Sequence, residues 1–98
     1  MAKLDINLKA RFDLVNIKIY FKEHSALNAY DKIELRIFKS LKKIAEFPKS
    51  GTSVKIEKLK KYRFHFEKPY YIFYTYSNDT VVIQRIIHGS RDIEKALK

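Results

Sequence analysis

His88, Gly89, Ser90, Arg91 and Asp92 place an imidazole, a flexible backbone position, a hydroxyl, a guanidinium and a carboxylate in one short stretch. Further cations stand upstream at Lys58, Lys60, Lys61, Arg63 and Arg85. Such a set can act on a polyanion. Histidine, lysine and arginine can move protons or stabilise negative charge near neutral pH. Binding without chemistry uses the same residue types, so each has two readings. His88 is a general base or acid, or a hydrogen-bonded structural residue at a strand end. Arg91 and Asp92 contact a target, or pair with each other and cap a following helix. Arg85, taken to share a strand face with Ile83 and Ile87, is an ion-paired semi-buried residue or a cation on the functional face. Lys58, Lys60 and Lys61 form a solvated basic edge that a target or partner could use. Tyr70, Tyr71, Tyr74 and Tyr76 could stack on bases, or pack in the core.

These groups need a scaffold, and composition limits it. Ninety-eight residues, 46% hydrophobic with only two Gly and two Pro, make one packed domain over residues 1–98 rather than a disordered chain. There is no cysteine, hence no disulfide framework or thiolate metal site, and His24, His65 and His88 lack metal-motif spacing. No cofactor is implied. MAKLDINLK has no apolar signal-peptide run and no stretch reaches a membrane span, so the expected location is the cytoplasm and no membrane partner is expected. The formal charge of +10 is shared by both halves of the chain, which assigns the positive field to the folded surface and favours a polyanionic partner.

Periodicity supplies the elements. Leu4, Ile6 and Leu8 alternate with Lys3, Asp5 and Asn7, predicting a strand over 3–8 with one buried face. In residues 9–22, Val15, Ile17, Ile19 and Phe21 alternate like a strand, while Ala10, Leu14, Ile17 and Phe21 share a helical stripe. The absence of a turn residue from Lys9 to Glu23 favours a helix. Tyr30, Ile33, Ile37, Leu41 and Ile44 predict a second, amphipathic helix capped by Ser25 and stopped by Pro48. The two form a hairpin about His24 that must cover an antiparallel sheet. After the turn Pro48-Lys49-Ser50-Gly51, strand-like runs follow. Val54–Leu59 opens into Tyr62–Phe66, then come Tyr70–Tyr76 and Val81–His88, joined by Glu67-Lys68-Pro69 and Ser77-Asn78-Asp79-Thr80. In the first run Tyr62, Phe64 and Phe66 face a core while Lys61, Arg63 and His65 make a cationic face. Residues 91–98 read as a short helix with acids first and lysines last.

The helix hairpin with Asp13-Leu14, Ile17 and Tyr20, the Phe47-Pro48-Lys49-Ser50-Gly51 break, the Tyr71-Ile72-Phe73-Tyr74 strand and the Ile86-Ile87-His88-Gly89-Ser90-Arg91-Asp92 ending occur in a telling order. Together they resemble the RelE/ParE superfamily of type II toxin–antitoxin toxins over nearly the whole chain, with the ending more like the ParE and plasmid-stabilisation side. The resemblance implies an α+β fold: an N-terminal strand, an α-helical hairpin, an antiparallel β-meander and a short C-terminal helix. It also implies a protein that halts growth and is neutralised by a cognate antitoxin.

ParE-like members act on DNA gyrase, whereas RelE-like members cut mRNA on the translating ribosome. The first case makes Lys58, Lys60, Lys61, Arg63, Arg85, His88, Arg91 and Asp92 a surface for the target or antitoxin, without catalysis. In the second, cleavage through the RNA 2′-hydroxyl needs a group to take that proton, a group to protonate the leaving oxygen and cations on the phosphorane, and the resemblance makes His88 the base or acid, with Arg63, Arg91 and the lysines on the phosphate. RelE-like nucleases carry an arginine where this chain has Tyr71, and end in a basic or aromatic set rather than Ser90-Arg91-Asp92, which favours the first. A third reading is a basic nucleic-acid-binding module with no toxicity.

Overall fold

The computed structural model of the protein describes residues 1–97; Lys98, included in the expected terminal helix, lies outside the described residues. Strand β1 (Lys3–Ile6) leads into helix α1 (Leu8–Glu23) and helix α2 (Leu27–Glu46). Then come the two-residue strand β2 (Thr52–Ser53), a 3₁₀ turn at Glu57–Leu59, strands β3 (Arg63–Glu67), β4 (Tyr70–Ser77) and β5 (Thr80–His88), and helix α3 (Ile93–Leu97). The strands form one sheet in the order β1-β5-β4-β3-β2. The meander β3-β4-β5 is antiparallel, as expected, but β1 joins β5 in parallel, so the sheet as a whole is mixed.

Local chemistry explains where α1 begins and ends. The Asn7 side chain accepts the Ala10 amide at 2.9 Å and caps the helix. Leu8 is therefore helical and exposed rather than the last buried position of a strand. Leu4, on the edge strand, is exposed as well, and of the expected buried face only Ile6 packs against the core. At the other end Ser25 takes a left-handed φ of 54°, with Ser25 N–H bonded to Lys22 O and Ala26 N–H to Phe21 O. That pair of bonds is a Schellman closure of α1. Ser25 is thereby spent on α1, and α2 starts at Leu27 with Ala26 at the N-cap position and no side-chain cap, contrary to the expectation for Ser25.

Two cores lie on opposite faces of the sheet. One is formed by Ala10, Ile37, Leu41 and Ile44 of the helices against Ile72, Tyr74, Val81, Ile83 and Ile86. The other packs Val54, Leu59 and Leu97 on Phe73 and Ile87, with Phe64 and Tyr71 beside them. The stretch 54–59 is thus not a strand; Val54 and Leu59 are anchors of a loop that covers the second face.

The Asn78-Asp79 turn has both φ values positive, 51° and 59°, which matches the twist of a two-residue hairpin. Tyr74, fully buried, donates to Pro48 O at 2.8 Å and accepts the Gly51 amide at 2.9 Å, with burial pushing its pKa up. A side chain at position 51 would collide with the Tyr74 ring, which explains the glycine after the α2 stop.

Candidate functional site

The middle and the end of β5 do different things. A register shift between Phe73 and Tyr74 of β4 makes Gln84 the extra residue of a β-bulge, so Ile83 pairs with Tyr74 and Arg85 with Phe73. Ile83 consequently faces the helical core. Arg85 does not share its face, because one inserted residue moves everything beyond it to the other side.

β1 pairs only as far as Ile83, and beyond that point α1 supplies the neighbour of β5. Asp13 accepts the Ile86 amide at 2.9 Å, closing the open strand edge. The same carboxylate receives Arg85 Nε at 2.8 Å and Nη2 at 2.9 Å, and Arg85 Nη1 donates to Ala96 O of α3 at 2.6 Å. The side chains are only 17% and 10% exposed. The hydrogen bonds it donates to Asp13 raise the Arg85 pKa further, against the effect of burial. Of its two readings Arg85 takes the ion-paired one, and its donors already serve α1 and α3.

Past the bulge, the chain leaves the sheet beside the β3–β4 turn. Gly89 N–H donates to Pro69 O at 2.8 Å and Arg91 N–H to His88 O at 3.0 Å, which fixes the turn. A Cβ at Gly89 would press on Pro69 O and the Tyr71 ring. His88 is exposed, and its Nδ1 accepts the Ser90 amide at 3.0 Å and lies 2.8 Å from Ser90 Oγ. The tautomer that keeps the bond from the Ser90 amide presents Nε2–H outward as a donor. The ring meets Tyr70 edge-on at 5.6 Å. Asp92 caps α3 by accepting the Lys95 amide at 3.2 Å, the structural half of its two readings. Arg91 is exposed, and its side chain has no hydrogen-bond or ion-pair partner among the described residues.

His88 and Arg91 line a cleft of about 580 Å³ together with Asp13, Ile17, Tyr20 and Phe21 of α1 and Tyr70 of β4. Asn16 and Pro69 also line it. The arrangement is a mostly apolar trough rimmed by hydrogen-bond donors, suited to an apolar side chain with an adjacent acidic group.

The other predicted cations are elsewhere. His88 pairs with Tyr70 and Arg63 with Tyr74. They are separated by β4 and by four positions along it, roughly 16 Å at ordinary strand spacing and rise. Arg63 Nη1 is held by Gly51 O at 2.9 Å and Lys49 O at 3.3 Å. Lys58, Lys60 and Lys61 belong to the loop over the second core, on the face away from the helices. Lys60 pairs with exposed Glu57 at 2.6 Å, and Lys61 lies 5.2 Å from the centre of the Tyr62 ring. His65 is part-buried rather than part of an open cationic face, and its pKa is lowered by burial and then by Lys43. Burial works to raise the neighbouring Glu67, but hydrogen bonds from Ser40 and Arg36 more than offset it and hold the carboxyl below its usual value. Tyr70 and Tyr74 are buried with the helical core, and Tyr71 and Tyr76 are half-buried beside the two cores.

Sequence reasoning assigned Asp13 no role. The signal was present, because a carboxylate between Ala10, Leu14 and Ile17 on a buried helix face requires a partner. Among the described residues no group of side chains could hold a metal ion, and no helix is long and apolar enough to cross a membrane.

A family model described as the ParE toxin of the type II toxin–antitoxin system parDE matches residues 4–93. The fold is similar to that of the chromosomal ParDE TA system from P. aeruginosa, with a TM-score of 0.76 and 20% identity over 90% of this chain and 96% of that one. It is also similar to the solution structure of the conserved hypothetical protein HP0894 from Helicobacter pylori. There the TM-score is 0.61 and the identity 20%, covering 93% and 98% of the two chains. At that identity these two likenesses establish the fold alone. No curated protein matches the chain.

Proposed function

The chain belongs to the ParE toxin family of type II toxin–antitoxin systems, and from that premise we propose that it arrests growth by inhibiting DNA gyrase, without catalysis, and is neutralised by a cognate antitoxin. The observation that carries this choice is the dispersal of the nuclease set. His88 and Arg63 are separated by β4, and Arg63 is held by the Lys49 and Gly51 carbonyls. A 2′-hydroxyl attack needs its base and its phosphate cations within hydrogen-bond reach of one phosphate. The Nδ1 of His88 is engaged by Ser90, which further removes the ring from the role of base. What this end of β5 offers instead is recognition, with Arg91 free to meet a carboxylate and the Tyr20–Tyr70 cleft to receive an apolar side chain.

The test is induction in a bacterial host without the antitoxin, with mRNA 5′ ends mapped within minutes and purified gyrase assayed for supercoiling. Intact transcripts, arrested growth and inhibited supercoiling are expected. Cuts within translated frames that disappear with His88→Ala would overturn the gyrase reading in favour of ribosome-dependent mRNA cleavage. Normal growth with salt-sensitive binding to bare nucleic acid would favour the non-toxic module.

A further inference from the structure

The cleft beside the exit turn of β5 has the size and the lining of a small-molecule site. Its volume of about 580 Å³ falls within the range of roughly 300–1,000 Å³ in which such ligands are held. Tyr70 and Ile86 line it and both belong to the buried helical core, so it reaches below the surface rather than lying on it. Three aromatic rings border it from two elements, Tyr20 and Phe21 of α1 and Tyr70 of β4. Such walls favour a flat aromatic guest.

Charge narrows the choice of guest. Asp13 is the only acid among the lining residues, and its two oxygens are taken by Arg85 and by the Ile86 amide. Arg91 is the only lysine or arginine among them, and its guanidinium has no partner among the described residues. The lining therefore carries a free positive charge and no free negative one. A phosphate commonly sits in a nest of free backbone N–H groups. Here the amides of Gly89, Ser90 and Arg91 already serve Pro69 O, His88 Nδ1 and His88 O. A carboxylate needs no such nest, because its two oxygens match the planar fork of one guanidinium. In the tautomer that keeps the Ser90 bond, His88 adds an Nε2–H donor to the same lining.

We propose that this cleft binds a small, free aromatic monocarboxylate, its ring between Tyr20 and Tyr70 and its carboxylate on Arg91. A peptide would bring backbone N–H and C=O groups that need partners, and the amides of the turn are already spent on the turn itself. A free acid brings none. It would occupy the place that a target side chain takes under the gyrase reading, so the two exclude each other. Its binding needs only this chain and does not depend on what the target is.

The probe is cinnamate, and its control is cinnamamide, the same flat ring without the charge. Titration of the full-length protein, followed by its proton–nitrogen amide spectra, should show saturable binding of cinnamate with a dissociation constant of about 1 mM or tighter. The shifts should centre on Asn16, Tyr20, Tyr70, His88 and Arg91. Cinnamamide should bind at least roughly tenfold more weakly. Arg91→Gln should erase that preference, and its thermal midpoint reports whether it is folded. Tyr20→Ala should weaken acid and amide alike, which keeps the test independent of the Arg91 variant. Equal binding of acid and amide by the parent protein would overturn the proposal, since the cleft would then be an apolar groove without anion recognition. Shifts centred elsewhere, or no saturation, would overturn it as well. So would a blocked phenylalanyl-glutamate dipeptide that bound at the same residues at least roughly tenfold more tightly than cinnamate, which would assign the cleft to a protein segment. Because the readout is binding to the purified chain, failure here leaves the gyrase reading standing, and failure there leaves this one.

Discussion

Arg85 and Arg91 leave the same strand and its exit turn, yet their surroundings have little in common. Arg85 gives two hydrogen bonds to Asp13 and a third to the carbonyl of Ala96, with its side chain mostly covered. Arg91 is exposed at the rim of a cleft, with no side-chain partner among the described residues. One guanidinium ties α1, β5 and α3 together, and the other is held in place only through its backbone. The difference arises from cover. Where α1 runs beside β5 the strand edge and the cation both need Asp13, and past the bulge the chain turns out beside Pro69, where water can solvate a cation.

The contrast predicts a gradient of effects, with stability lost at the covered end and function at the open one. Asp13→Ala leaves Arg85 and the Ile86 amide without their acceptor, and should cost about 3–5 kcal/mol of unfolding free energy in urea. Pairing Asp13→Leu with Arg85→Leu should recover part of that loss, because the penalty comes from an uncompensated charge. A loss below about 1 kcal/mol for Asp13→Ala would break the comparison, since the pair would then behave as a surface one. Next is Tyr74→Phe, which strands the Gly51 amide and the Pro48 carbonyl. About 1–3 kcal/mol is expected from the same titration, with growth arrest retained.

Acid should act in the same direction through β3. The folded-state pKa of His65 is lowered by burial and by Lys43, so the unfolded chain takes up its proton first as pH falls through the ordinary value of 6.5. Stability present above that point declines below it. Glu67, held low by Ser40 and Arg36 despite burial, adds a second decline as pH falls below its ordinary value of 4.5. Urea midpoints measured across this range should therefore drop with acidification, and His65→Gln should flatten the part nearer neutrality. A flat midpoint in the parent protein would contradict the assignment.

The smallest effect on stability, and the largest on the proposed function, belongs to Arg91→Glu. Its unfolding midpoint should match the parent, while gyrase inhibition falls at least roughly tenfold, as expected for reversing a charge at a contact centre. Unchanged inhibition would place the target contact away from this turn. His88→Ala, by contrast, should leave growth arrested, with transcripts intact.

Much of the scaffold was legible because periodicity reports burial directly. α2 was readable from Tyr30 to Ile44, and the meander from its turns at Lys68-Pro69 and Asn78-Asp79. The ambiguity of residues 9–22 also has a physical cause. Inward Ile17 and Phe21 interleave with outward Val15 and Ile19, so a helix apolar on two sides counterfeits the alternation of a strand. Ser25 was misread because a serine before a helix looks like a cap until the backbone is seen in the left-handed region.

The sequence by itself determined the order of β1, the helix hairpin and the β3-β4-β5 meander, the amphipathic α2, the exposed His88–Asp92 turn and membership of a toxin superfamily, since each is carried by patterns within short stretches of the chain. Only the tertiary structure decided the parallel pairing of β1, the bulge at Gln84 that turns Arg85 away from Ile83, its union with Asp13, and the separation of Arg63 from His88. Those outcomes depend on groups distant in sequence, whose meeting is settled by which surfaces bury together, and no local pattern records that.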